Sequence, residues 1–90
     1  MEFQKDRDRI YLEDHSGKLL AEVTFPEVRP GVVQIDHTYV DESLRGQGVA
    51  GQLMEQAVRQ IREHGWRAVP VCSYAVSWFQ KHPDWRELLG

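Results

Sequence analysis

The run Tyr39-Val40-Asp41-Glu42-Ser43-Leu44-Arg45-Gly46-Gln47-Gly48-Val49-Ala50-Gly51-Gln52-Leu53 joins two different hydrophobic periods. Residues 32–40 alternate, with Val33, Ile35, His37 and Tyr39 on one side of an extended chain and Val32, Gln34, Asp36, Thr38 and Val40 on the other. After the run, Val49, Ala50, Leu53, Met54, Ala57, Val58 and Ile61 recur at three- and four-residue spacing, the stripe of an amphipathic helix. A strand therefore enters Arg45-Gly46-Gln47-Gly48-Val49-Ala50-Gly51 and a helix leaves it. That order makes an anion site, because unpaired amides converge at a helix N-terminus, the helix dipole is positive there, and glycines let the backbone approach phosphate oxygens. The chemistry expected at this spot is diphosphate binding.

Outward from the loop, residues 9–14 carry Ile10, Tyr11 and Leu12, and residues 18–28 carry Leu20, Val23 and Phe25. The two β-like runs flank the turn-rich Asp14-His15-Ser16-Gly17 and predict an antiparallel hairpin. Pro30-Gly31 separates them from residues 32–40, so a three-stranded meander is expected. On the other side, Gly65 stands where a left-handed helix cap belongs, with Arg62 and His64 in the last turn, where cations suit the dipole. Residues 68–72 read as a short strand, joined to residues 32–40 by a right-handed crossover and hence parallel to them. Pro70 cannot donate to a ladder, which puts this strand at an edge or splays it from its neighbour. Residues 74–81 predict a short second helix stopped by His82-Pro83, after which Trp85, Leu88 and Leu89 return to cover the core. The fold class expected is α+β with a three-layer, α/β-like arrangement: an antiparallel β-meander, then a β-α-β crossover with a splayed strand pair, then a short C-terminal helix.

Ninety residues suffice for one domain, 1–90, with one modest core. An apolar share of 41% and a charged share of 28% fit a globular chain, and with no low-complexity tract and no internal repeat neither disorder nor a solenoid is favoured. A formal charge of -3 argues against a nucleic-acid partner, whose backbone takes a basic face to neutralise. The start of the chain, Met1-Glu2-Phe3-Gln4-Lys5-Asp6-Arg7-Asp8-Arg9, alternates charge and lacks a signal peptide's apolar centre, and no run has membrane-spanning length; a cytoplasmic protein with no membrane partner is expected. The single cysteine, Cys72, fits a reducing compartment. His15, His37, His64 and His82 lack ligand spacing, so no metal site is expected, and Trp66, Trp78 and Trp85 read as core and cover rather than a base-stacking surface.

Two other phosphate-loop patterns compete for the run. A P-loop needs Lys and then Ser or Thr after its last glycine, where Val49-Ala50 stand instead. Gly46-x-Gly48-x-x-Gly51 has the letters of a dinucleotide fingerprint, but an antiparallel meander ahead of it does not supply the parallel sheet that fingerprint needs. Residues 39–53 resemble instead the central motif of the GNAT superfamily of acyl-CoA N-acyltransferases, in which Arg or Gln, two residues, Gly, one residue, and Gly or Ala succeed one another; Arg45, Gly48 and Ala50 fill those places. The likeness runs from Val32 to Trp85, and the whole chain resembles a minimal, single-domain (YjdJ-type) subfamily without the usual N-terminal helices and last strands.

That resemblance implies transfer of an acyl group, acetyl first of all, from acetyl-CoA to an amine. It implies that the amides of Arg45, Gly46, Gln47, Gly48, Val49, Ala50 and Gly51 hold the coenzyme A diphosphate. Thr38, Tyr39 and Val40 would line the pantetheine arm in the wedge between parting strands, with Ser73 and Phe79 beside the cofactor from the second helix. An amide near Val40 would polarise the thioester carbonyl. Many family members place a Tyr acid on the last helix, but here that position falls on Phe79, and the Asn common at the helix start falls on Cys72. The catalytic candidates are therefore Cys72, as acid, acyl contact or transient nucleophile; His37, whose imidazole type titrates near pH 6.5 and suits a base; and Tyr74, as donor with Ser73. Each has a plain alternative: a small core thiol, a histidine packed in a sheet, and residues capping a helix. Asp36, Asp41 and Glu42 are placed to attract a cationic acceptor or simply to be solvated. The function class that competes with an acyltransferase is a non-catalytic acyl-CoA-binding or protein-interaction module.

Overall fold

The computed structural model describes residues 2–90. Within them the chain forms β1 (Gln4–Asp6), β2 (Arg9–Glu13), β3 (Leu19–Thr24), β4 (Glu27–Arg29), β5 (Val32–Ile35), β6 (His37–Val40), α1 (Val49–Glu63), β7 (Arg67–Pro70) and α2 (Ser73–Lys81), with 3₁₀ turns at Glu42–Leu44 and Pro83–Leu88. The class is α+β, as expected. An antiparallel sheet runs β1-β2-β3-β6, and a second runs β4-β5-β7 with β5 and β7 parallel.

The expected meander is present but more divided. The runs predicted at 18–28 and 32–40 are each interrupted at the same level, around Pro26 and at Asp36, so each supplies a strand to both sheets. Pro26 has no amide to offer a ladder, yet the pairing carries across the break: Gln34 donates to the Pro26 carbonyl at 2.9 Å and Asp36 to the Thr24 carbonyl at 3.3 Å. The irregularity inverts the alternation. Val33 and Ile35 are buried, whereas His37 and Tyr39 are exposed and Thr38 and Val40 half-buried, so the shared face predicted for Val33, Ile35, His37 and Tyr39 does not exist. A single extra residue in a strand moves every later side chain to the opposite face. Strand β1 escaped the sequence pattern because Gln4, Lys5 and Asp6 are all exposed; it is held by its ladder to β2 rather than by burial.

Helix α1 buries Val49, Leu53, Met54, Ala57, Val58 and Ile61 against Ile10, Ala21, Val23 and Phe25 of the hairpin and Val33 and Ile35 of β5. Gln60 lies in the same buried stripe, its amide donating to the carbonyls of Asp6 (2.6 Å) and Arg7 (3.1 Å) in the β1–β2 turn. Strand β7 ends at Pro70 rather than at residue 72. It is the last strand of its sheet, and on either side of Pro70 the amides of Arg67 and Val71 turn inward, donating to the carbonyls of Gly31 and Ile35. Pro70 thus lacks its N–H on the outer side, where no ladder needs it. Only the chain end comes alongside, Gly90 donating to the Ala68 carbonyl at 3.0 Å. Of the three residues expected to return over the core, Leu88 is buried and Trp85 packs against it beneath the Arg62 guanidinium, while Leu89 stays 39% exposed. No helix among the described residues is long and apolar enough to cross a membrane.

Candidate functional site

The loop between β6 and α1 is built from two left-handed residues, Gly46 (φ 83°) and Gly48 (φ 73°), the latter the N-cap of α1. An L side chain at either position is strained by its φ, and a Cβ there would meet no protein atom within 4 Å, so the backbone faces open space. Gly48 has no side chain to cap the helix and the first turn carries no acid, which leaves the amides of Val49, Ala50 and Gly51 without acceptors at the positive end of a 15-residue helix. The groove before them, about 210 Å³, is lined by Val40, Leu44, Arg45, Gly46, Gly48, Val49, Ala50, Gly51 and Tyr74.

Asp41 holds the entrance. One carboxylate oxygen accepts from the Ser43 amide (3.0 Å) and hydroxyl (2.6 Å); the other accepts from the Tyr39 hydroxyl (3.1 Å) and lies 3.6 Å from Lys18 Nζ. The two Ser43 bonds above all lower its pKa to about 2. The Asp41 carboxylate is therefore occupied by these partners, and Arg45 forms no ion pair among the described residues.

Beyond Ile35 the parallel strands part. Val71 (2.9 Å) and Cys72 (3.2 Å) both donate to the Ile35 carbonyl, after which the chain turns into α2 while β6 continues against β3 alone. Asp41 donates to the Leu20 carbonyl at 2.7 Å, and by the alternation of an antiparallel ladder the peptide groups of Thr38 and Val40 point away from β3, into the wedge. Cys72 closes the narrow end: its half-buried Sγ lies 3.4 Å from Thr38 Oγ1 and accepts from the Ala75 amide at 3.4 Å as the N-cap of α2. Tyr74, one turn of chain further, lies over the loop with its hydroxyl 3.7 Å from where a Cβ on Gly51 would stand, and burial pushes its phenol pKa up.

The face of the sheet away from α1 carries His37 and Tyr39, both exposed. His37 Nε2 lies 3.4 Å from one oxygen of Glu22, whose other oxygen is bonded by the Arg9 guanidinium, itself 3.7 Å above the Tyr11 ring. The predicted residues thus separate into three places. Val40, Arg45, Gly46, Gly48, Val49, Ala50, Gly51 and Tyr74 share the groove; Thr38 and Cys72 meet at the wedge; His37 and Tyr39 sit on the open face. Gln47 donates to the Ser43 carbonyl within the loop, and Ser73 is exposed at the first turn of α2. Phe79 is elsewhere: it lines a separate apolar depression with Pro70, Val76, Pro83 and Leu89. Sequence reasoning overlooked Leu44, whose apolar side chain follows three polar ones in the connecting turn, and the Arg9–Glu22 pair, which only strand register brings to His37.

Residues 9–88 match the family model of the GCN5-related N-acetyl-transferases. The solution structure of a GCN5-like candidate N-acetyltransferase from Staphylococcus aureus is similar over 99% of this chain and 87% of that one, with 29% identity and a TM-score of 0.81. The GNAT family N-acetyltransferase YhbS of Escherichia coli, solved in complex with CoA, is 25% identical over 77% of this chain and 42% of its own, with a TM-score of 0.63. Tetrahymena GCN5, at 15% identity and a TM-score of 0.64, shares the fold over 84% of this chain and 51% of its own. The chain spans about half, or less, of these two larger relatives.

Proposed function

The chain belongs to the GCN5-related N-acetyltransferase family, and from that premise we propose that residues 1–90 act as one acyltransferase domain, taking acetyl from acetyl-CoA to an amine. The observation that carries this proposal is the uncapped N-terminus of α1, where free amides, two left-handed glycines and Arg45, without an ion pair among the described residues, converge on a groove that leads into the β6–β7 wedge. A diphosphate fits that donor set, since three amides and a guanidinium offer hydrogen bonds and positive charge, while the Asp41 carboxylate is taken up by Ser43, Tyr39 and Lys18. The neighbour solved with CoA supports the same ligand.

Bound coenzyme A thioester supplies an activated acyl carbonyl. The outward peptide groups of Thr38 and Val40 suit the amide-rich pantetheine arm, and the Val40 N–H suits the charge that develops on the carbonyl oxygen. Helix α1 covers the other face of the sheet, so a dissolved amine has its approach from the face that carries His37. In this reading the His37 imidazole beside Glu22 takes the ammonium proton, and the Tyr74 phenol or the Cys72 thiol returns one to the departing sulfur. A lone cysteine is consistent with the cytoplasm.

Isothermal titration with acetyl-CoA and CoA is the first test, with Gly48→Glu setting a carboxylate in the groove. Binding by wild type and its loss in the variant is the expected result; no binding by wild type sinks the proposal. Amine-dependent release of free CoA across a broad amine panel then decides between catalysis and an acyl-CoA-binding module. A flat zero across the panel means the latter.

A further inference from the structure

The loop has to be held as well as built. Gly46 and Gly48 leave it soft, since glycine costs the most entropy to order, and nothing within α1 secures its N-terminal side. Asp41 is the junction at which four segments meet: β3, β6, the β2–β3 connection and the 3₁₀ turn. Its amide bonds the Leu20 carbonyl of β3, its carbonyl accepts from Leu44 at 3.0 Å, and its carboxylate takes the Ser43 amide and hydroxyl of the 3₁₀ turn, the Tyr39 hydroxyl of β6 and the Lys18 ammonium of the β2–β3 connection. The turn so pinned runs directly into Arg45, whose amide bonds the Glu42 carbonyl, and Gln47 Nε2 reaches back to the Ser43 carbonyl.

We propose that Asp41 is a positioning residue for the cofactor loop, acting through the hydrogen bonds its carboxylate accepts, which fix the turn at 42–44 so that Arg45 and the amides of residues 46–51 converge on a diphosphate. This rests on the loop's being the diphosphate site. A carboxylate four residues before Arg45 is otherwise an odd neighbour for an anion: charge alone makes it unfavourable, and only its geometry gives it a use. The short Asp side chain matters, because an Asx-type turn needs the acceptor one methylene from the backbone.

The test is titration of acetyl-CoA into wild type, Asp41→Asn, Asp41→Ala and Asp41→Glu, with folding followed by circular dichroism. Asn retains an acceptor for both Ser43 donors and can donate to the Tyr39 oxygen, and it removes a negative charge near the ligand. Its Kd should stay within about threefold of wild type, whereas Ala and Glu should each raise Kd about tenfold or more. Should Asp41→Ala fail to fold, Asp41→Glu carries the comparison, since it keeps charge and size class while displacing the acceptor. Wild-type affinity in Ala or Glu overturns the proposal, as does an Asn variant as weak as Ala. Failure of wild type to bind overturns the diphosphate site itself, a different result from equal binding by all four proteins.

Discussion

Cys72 touches Thr38 and caps α2 with the same sulfur, so its removal confounds chemistry with stability. Two substitutions separate them. Cys72→Ala should lower stability by about 0.5 kcal/mol, the low end for a lost N-cap because sulfur accepts weakly, while Cys72→Ser should hold or improve stability. Amine-dependent CoA release by Cys72→Ser equal to wild type would leave the thiol a structural role alone; loss of turnover in a stable Cys72→Ser variant would give it a chemical one. At Gly48 the strain is in the backbone: Gly48→Ala should cost about 1 kcal/mol in denaturant unfolding, because φ must stay left-handed although the added methyl meets nothing. The glycine loop at residues 45–51 and the helix start after it were legible in the sequence, because both follow from local backbone conformation. Glu22 and Arg9 were not, since their approach to His37 depends on the pairing Glu22↔Tyr39 and Arg9↔Thr24.

Among the elements, α1 was read almost to its ends, since its apolar stripe is both long and regular. Gln60 within that stripe was unreadable as a core residue, for its two acceptors belong to a turn more than fifty positions away. Gln60→Leu should cost about 1–3 kcal/mol by leaving the Asp6 and Arg7 carbonyls short of a donor, and should leave acetyl-CoA affinity unchanged; denaturant unfolding and titration check the two halves. A splay was one of two readings of Pro70, but Pro70 keeps its register with Ile35 at the sheet edge, and the strands part because the irregularity at Asp36 turns β6 onto β3. A continuous strand through Asp36 would keep pairing with β7 and close the wedge. Alternation patterns do not reveal such a break, because residues 32–40 remain alternating in letters while the chain inverts beneath them.

At the scale of the molecule, three turns are each tied by a carboxylate. Asp14 is lowered in pKa first by the Ser16 hydroxyl, Glu27 first by the Gly31 amide and then by Arg7, and Asp41, to about 2, by Ser43. All three pKa values lie below those of the unfolded chain, so their contribution to stability is present above about pH 4–5 and is lost as pH falls towards 2. The thermal midpoint should be level from pH 5 upward and fall below pH 4, with a shallower fall in Asp41→Asn; an equal fall in both proteins would remove Asp41 from the account. By itself the amino-acid sequence determined the α+β class, the helix, the glycine loop and the expectation of a diphosphate, because each follows from periods and turn chemistry spanning a few residues. The tertiary structure alone decided that Val40, Leu44 and Tyr74 close one groove, that Phe79 lies outside it, that His37 faces solvent beside Glu22, and that Asp41 ties the loop to β3 and to the β2–β3 connection. Those are contacts between residues distant in the chain, and their partners are chosen by strand register and packing, which no local pattern encodes.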